Sequence, residues 1–269
     1  VILTPENYFS NEADAEYMSV SLWKSFQQCQ AATMARIRSE WHQEPSESML
    51  LGSYVHAHFG GDLEQFKALH PEIISSKGAS KGELKAQYQK ANKMIEALEK
   101  DDFCKFILNG GKEKIITAEM FGIPWKTKVD VITDKRIVDL KTTKNIYETS
   151  WNAAEKCKET FIEKYQYLLQ AAIYSEVERI ANGGDKWKEF LFVVVSSEEQ
   201  PDKLIISIDN DLILQHNLNW IEGQLQYVVP VWKGEKEPTR CERCAYCRST
   251  KKIKKVTRYT EFLRGFFDE

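Results

Sequence analysis

No stretch of this chain is apolar for long enough to cross a bilayer as a helix, and its first residues do not form a secretory leader. The expectation is therefore a soluble, cytoplasmic protein without membrane partners. Bulk charge is missing too: a formal net charge of −3 excludes a protein that coats nucleic acid by charge alone. Disulfides are not expected from six cysteines inside a cell. A start at Val1 rather than Met suggests a trimmed or partial chain. What is present is 269 residues, 42% of them hydrophobic, enough for a substantial core in one domain spanning residues 1–269.

The densest chemistry lies between Thr117 and Thr143, TAEMFGIPWKTKVDVITDKRIVDLKTT. Ile, Val, Thr and aromatic residues mark three strands, Lys114 to Phe121, Lys126 to Thr133 and Arg136 to Thr142, with breaks at Gly122-Ile123-Pro124 and Asp134-Lys135. A hairpin centred on Asp134-Lys135 pairs residues whose numbers sum to 269, which sets Asp130 opposite Asp139. Alternation puts Lys141 on the face of Asp139 and turns Val138 and Leu140 the other way. Carboxylates opposed at about 4.5–5.5 Å destabilise a sheet unless positive charge lies between them. A divalent metal meets that need: hard oxygen ligands suit Mg²⁺ or Mn²⁺, which take one or two carboxylates together with substrate phosphate oxygens. Phosphodiester hydrolysis follows, with the metal activating water and neutralising the phosphate while Lys141 orients the water and stabilises the transition state. Without its neighbours, the same Asp-Lys pair reads equally well as an exposed ion pair on an edge strand.

Around this unit, Tyr17 to Arg38 reads as one amphipathic helix capped by Ser19 or Ser21, with Leu22, Phe26 and Cys29 or Gln30 on one side. Leu50 to Phe59 is a second helix whose Gly52 and His56 share a face; His56 offers a nitrogen to a metal, and His58 points elsewhere. Residues 60–81 read as a connector, and Lys81 to Lys100 as a helix burying Leu84, Tyr88, Ala91, Ile95 and Leu98. Asn145 to Thr160, with Trp151, is expected to loop over the site. Phe161 to Asn182 reads as a helix stopped at Gly183-Gly184, with Gln166, Gln170 and Tyr174 as a polar stripe suited to bases, phosphates or a loop. Glu189 to Ser197 is a buried strand, Lys203 to Asp209 another, and Asp209 caps a helix reaching about Val228. Helix, three strands, helix, strand predicts an α/β (α+β) fold, a mixed sheet flanked by helices.

Cys241, Cys244 and Cys247 in CERCAYC bring three thiolates to one point, with Cys29 as candidate for the fourth; a four-iron four-sulfur cluster or Zn²⁺ there would be structural. Cys104 and Cys157 read as ordinary thiols. The cysteine-rich segment 240–258 is also basic, with Arg240, Arg243, Arg248, Lys251, Lys252, Lys254, Lys255 and Arg258 against Glu242.

In chain order, G-x-x-x-H (Gly52, His56), V-D (Asp130), V-D-L-K-T (Asp139 to Thr142) and Q-x-x-x-Y (Gln170, Tyr174) resemble the RecB branch of the PD-(D/E)xK nucleases. The segments GSYVHAHF, FGIPWKTKVDV and CERCAYCRSTK resemble RecE-like exonucleases of phages and prophages, over about Ser19 to Lys252. The resemblance implies the restriction-endonuclease-like αβββαβ core, Mg²⁺ held by His56, Asp130, Asp139 and the backbone carbonyl of Leu140, and Lys141 as the catalytic lysine. Glu119 is a further candidate ligand. Gln170 and Tyr174 would support the site or touch DNA, and Arg248, Lys251 and Lys252 would contact DNA. Iron-sulfur members of that branch also place one cysteine early and three late. The implied activity is a Mg²⁺-dependent exonuclease that digests linear double-stranded DNA from its 5′ ends, as a ring-like oligomer, leaving single strands for an annealing recombinase. A nuclease of single strands or of internal bonds, and a non-catalytic DNA-binding module, are the alternatives.

Overall fold

The strand pair that carries the two aspartates is joined at Asp134-Lys135, as its β-branched runs predict, yet it parts before it reaches them. In the computed structural model, which describes residues 1–78, 80–253 and 256–264, the chain begins with α1 (Asn11–Glu16), α2 (Val20–Gln28), α3 (Gln30–Ile37) and α4 (Glu47–Gly60). Then come α5 (Leu63–Leu69), a 3-10 turn (Pro71–Ile73), α6 (Ala86–Glu99) and α7 (Asp102–Ile107). Three strands follow, β1 (Gly111–Met120), β2 (Ile123–Ile132) and β3 (Arg136–Thr143), and a small hairpin, β4 (Ser150–Asn152) and β5 (Cys157–Glu159). The remainder is α8 (Phe161–Lys164), α9 (Tyr167–Asn182), β6 (Glu189–Ser196), β7 (Lys203–Ile208), α10 (Asp211–Trp232), α11 (Ala245–Ser249) and α12 (Tyr259–Arg264).

The main sheet has the order β1-β2-β3-β6-β7 and is mixed, because β6 runs parallel to β3 while every other neighbour is antiparallel. Alternation along the strands then feeds two cores. Trp125, Val129, Ile137, Phe190, Phe192 and Val194 pack on the side of α2, α9 and α10. Val131, Val138, Leu140, Leu191, Val193 and Val195 pack on the side of α4, α6 and α7. The expected mixed sheet between helices is thus what forms, and no helix among the described residues is long and apolar enough to cross a membrane.

Between β2 and β3 the expected register holds, Val131 opposite Val138 and Ile132 opposite Ile137, but the ladder stops there. β2 stays with β1 along its length, so its near half swings away from β3. The edge this frees is covered by the N-terminal segment: Met18 N–H donates to the Pro124 carbonyl (2.9 Å) and Lys126 N–H to the Met18 carbonyl (2.8 Å). Pro124 is tolerated inside a strand because its missing N–H falls on this side, away from β1. The turn before it is tighter than the expected three-residue break. Phe121 and Gly122, at φ 55° and 74°, form the whole connection.

Directly after Met18, Ser19 caps α2 by accepting from the Leu22 N–H, so the helix starts at the mouth of the opened sheet. The expected single helix from Tyr17 to Arg38 is in fact two, because Cys29 is extended (φ −165°, ψ 106°) and turns its sulfur toward the C-terminal cysteines. The expected helix from Phe161 to Asn182 is likewise broken. Gln166 is left-handed (φ 52°) and stands ahead of α9 rather than on its face. The connector at 60–81 holds α5 and the 3-10 turn, the charged helix begins at Ala86 rather than Lys81, and Asn210, not Asp209, caps α10.

Beneath the N-terminal segment lies a buried cation. Lys126 is 1% exposed; its ammonium meets Asp14 Oδ1 at 2.7 Å and donates to the Tyr8 carbonyl at 2.6 Å, while Arg36 donates to Asp14 Oδ2 at 2.8 Å. Asp14→Ala is expected to destabilise the fold by about 3–5 kcal/mol, because it strands a buried charge. The double change Asp14→Asn with Lys126→Met should cost much less. Urea midpoints of the two proteins check this.

Candidate active site

The gap between β2 and β3 is the floor of a cleft of about 640 Å³ whose walls come from the N-terminal segment, α2, α4, α5 and α9. Asp130 and Asp139 lie just past the last ladder pair, on either side of the gap. Asp130 Oδ2 accepts from the Leu140 backbone N–H at 2.7 Å, taking the donor that a β2 carbonyl would take in a closed ladder. From α4, His56 brings Nδ1 to 3.3 Å from Asp130 Oδ1. Gly52, one turn earlier, makes this approach possible: a Cβ there would stand 3.0 Å from Thr142 Oγ1 at the end of β3.

Asp139 is 3% exposed and is clamped from α9, where Gln170 Nε2 donates to its Oδ1 at 2.5 Å. Lys141, on the same face of β3, sets Nζ 2.5 Å from Asp139 Oδ2, donates to Gln170 Oε1 at 3.0 Å and lies 4.4 Å from the centre of the Tyr167 ring. Although so close to Lys141, Asp139 Oδ2 has no hydrogen-bond partner of proper angle.

Burial raises both carboxyls, and the neighbours decide the outcome. For Asp130, the charge and hydrogen bond of His56, then Lys141 and the Leu140 N–H, outweigh burial and hold it below the ordinary carboxylate range. For Asp139, burial and the repulsion of Asp130 outweigh Lys141, and it stands above that range. His56 and Lys141 are each lowered by burial but held above their ordinary values by the acids facing them, Asp130 for His56 and first Asp139 for Lys141. Two carboxylates on either side of the gap, Asp139 with its Oδ2 against the Lys141 ammonium, beside an imidazole nitrogen, are donors of the hard type that a divalent cation takes.

His56, Asp130, Asp139, Lys141, Gln170 and Tyr174 are thus brought together as the sequence predicts, and His58 is turned aside to Glu99 at 2.7 Å. Glu119 is not. It is exposed on β1 opposite Pro124, whereas the register of β1 on β2 sets Glu113 across from Asp130, and Glu113 lines the cleft paired with Lys128. Arg248, Lys251 and Lys252 are exposed beyond the cysteines and do not line the cleft; Lys254 and Lys255 lie outside the described residues. Unforeseen from the sequence are the walls supplied by Pro5 to Phe9 and by α5, and Lys24 of α2. A signal for Lys24 exists in its being the single charge in the α2 sequence VSLWKSFQQ.

The second site lies where Cys29 interrupts the helix. Sulfurs of Cys29, Cys241, Cys244 and Cys247 all fall within 4.8 Å of one another, with 3.6 Å from Cys29 to Cys247 and 3.9 Å from Cys241 to Cys247. A tetrahedral Zn–S bond of about 2.3 Å gives a sulfur-sulfur edge of about 3.8 Å. These thiols can therefore hold one metal ion. Cys104 is buried and Cys157 exposed, apart from this group.

Residues 19–250 match the family described as a PDDEXK-like domain of unknown function (DUF3799). The structure is similar to the crystal structure of a protein from Eubacterium rectale named "putative exonuclease", with a TM-score of 0.91 and 34% identity over 98% of this chain and 99% of that one. None of the curated proteins compared with the chain matches it.

The cysteines differ enough to be told apart by chemistry. Backbone N–H groups of Arg243 and Cys244 pull the Cys241 thiol down to about 6, whereas burial pushes Cys247 up to about 12. In metal-stripped protein, alkylation of Cys241 is expected to be rapid at neutral pH and to fall off as pH drops through about 6, with Cys247 unreactive throughout. Mass-spectrometric mapping after brief iodoacetamide pulses checks it.

Proposed function

The chain belongs to the PDDEXK-like family DUF3799, and from that premise we propose that it is a divalent-metal-dependent nuclease that hydrolyses DNA from the ends of linear duplexes. The observation that carries this reading is the placing of Asp130 and Asp139 on either side of the opened strands in one cleft, with Lys141 against Asp139. A module that only held DNA would gain nothing from setting two carboxylates, one buried and one half-buried, beside a lysine in its binding cleft. The kinship with a protein named as an exonuclease favours attack at ends over internal attack. The resemblance in sequence adds a 5′-to-3′ direction, a ring-like oligomer and an annealing recombinase as the receiver of the single strands.

In this reading His56, Asp130, Asp139 and the Leu140 carbonyl hold Mg²⁺ or Mn²⁺. When bound, such an ion supplies positive charge for the scissile phosphate and acidifies a water. The chain's own residues do the rest. Asp130, held below the ordinary carboxylate range, is ionised at neutral pH, and His56 gives up its proton to serve as a ligand beside it. Gln170 fixes the Asp139 carboxylate and the Lys141 ammonium to each other, so that neither has to reorganise as charge builds on the phosphate. Lys141, kept protonated, faces that charge directly.

For the cysteines we propose a single Zn²⁺ in preference to a four-iron four-sulfur cluster. The sulfurs are spaced as for one tetrahedral ion, whereas a cubane, with irons at separate corners, needs its thiolates wider apart. Purified protein should then be colourless and carry one zinc per chain by elemental analysis, and Cys29→Ser should lose it.

Linear duplex labelled at either end, incubated with Mg²⁺ or chelator beside a closed circular control, tests the nuclease. Release of 5′ label that spares the circle and drops at least about 100-fold in Asp139→Asn is expected. Cleavage indifferent to Asp139, or binding with no release, would overturn the reading.

A further inference from the structure

Three lysines line the cleft. Lys141 is paired with Asp139 and Lys128 with Glu113; Lys24 has no carboxylate within ion-pair distance among the described residues. It is turned into the cleft, half-buried, where its ammonium donates to the Tyr165 carbonyl at 2.6 Å. That carbonyl belongs to the break between α8 and α9, so the lysine is fixed at its tip by the irregular turn that precedes the helix of Gln170. One of its three N–H groups is used in this way, and two are left for something else.

Lys24 and Lys141 share a tyrosine. The centre of the Tyr167 ring is 5.3 Å from Lys24 Nζ and 4.4 Å from Lys141 Nζ. The two ammonium groups thus sit in the same part of the cleft, Lys141 in an ion pair with Asp139 and Lys24 within reach of its charge but outside ion-pair distance. Keeping a second cation there is costly, since burial first and the charge of Lys141 next pull Lys24 down to about 8. Asp139, the Tyr165 carbonyl and the Tyr167 ring offset that cost only in part, and the hydroxyl-bearing Ser21, three residues earlier on the same helix face, also lines the cleft. An ammonium with free donors, a hydroxyl beside it, no acid partner, and an adjacent site that reads as holding a phosphodiester together require an anion of the same strand.

We propose that Lys24 binds a phosphate of the substrate strand other than the one being cut, and so sets how far a strand must reach past Asp130 and Asp139 before it is hydrolysed. The inference rests on the nuclease reading. It makes Lys24 a determinant of strand position, acting on binding rather than on the chemical step.

The test uses Asp139→Asn protein, whose cutting is expected to be at least about 100-fold slower, and short duplexes in which single linkages near the end carry a neutral methylphosphonate, with the 5′ end as phosphate or hydroxyl. Fluorescence anisotropy is expected to show one position at which removing the charge weakens binding about tenfold. An internal linkage or the terminal phosphate would identify which phosphate Lys24 holds. Adding Lys24→Met should abolish the penalty at that position and lower the slope of log K against log salt by about one, and Lys24→Arg should restore both. In otherwise wild-type protein, Lys24→Met should raise KM and leave kcat nearly unchanged. If no single position matters to Lys24 protein, or if the penalty and the salt slope survive Lys24→Met, the proposal is wrong while label release by wild-type protein keeps the nuclease standing. If wild-type protein neither binds nor cuts DNA, both fall together.

Discussion

Two carboxylates held within reach of each other, one buried and one half-buried, repel, and that repulsion has to be offset by whatever surrounds them. In this fold the offset comes from four directions: His56 from α4, the Leu140 N–H from β3 itself, Lys141 from the same strand, and Gln170 from α9. A closed β2–β3 ladder would take the Leu140 N–H away from Asp130. The parting of the strands, the N-terminal segment that covers the bared edge of β2, and the start of α2 at the opening are therefore one arrangement.

What could be read in the sequence was whatever depends on period. The strand alternation that sets Asp139 and Lys141 against Val138 and Leu140, the sum that pairs Val131 with Val138, and the four-residue spacing of Gly52 and His56 are properties of a regular backbone, and all of them hold. Irregular backbone carried no such signal. Cys29 and Gln166 break helices whose apolar patterns run on through them, because each residue answers to a distant partner or a left-handed turn rather than to its neighbours. Glu119 and Glu113 both lie on β1, and only the register on β2, which no local pattern fixes, tells which of them faces Asp130. The cleft walls from Pro5 to Phe9 and from α5 are tertiary placements of polar, weakly periodic segments.

The two sites are not independent. α2 runs from Ser19 and Lys24 in the cleft to the residue before Cys29, and Gln30 just beyond binds Thr239 through its side chain. Fixing Cys29 to the C-terminal cysteines thus fixes the far end of the helix that forms a wall of the cleft. Trp23 and Phe26 of this short helix are buried in the core between its two ends.

Cys29 meets Cys247, and the Asp14 carbonyl meets the Trp232 indole, each across 218 residues of chain. β3 likewise waits for β6, its parallel neighbour on the inner side of the sheet, some fifty residues downstream. Such closures come late, after much chain entropy has been lost. On the ribosome, which delivers the chain from its N-terminus, Asp130 and Asp139 emerge well before Gln170, β6 and the last three cysteines. A nascent chain therefore displays both acids with neither clamp nor anchor until Gln170, β6 and the C-terminal cysteines have followed.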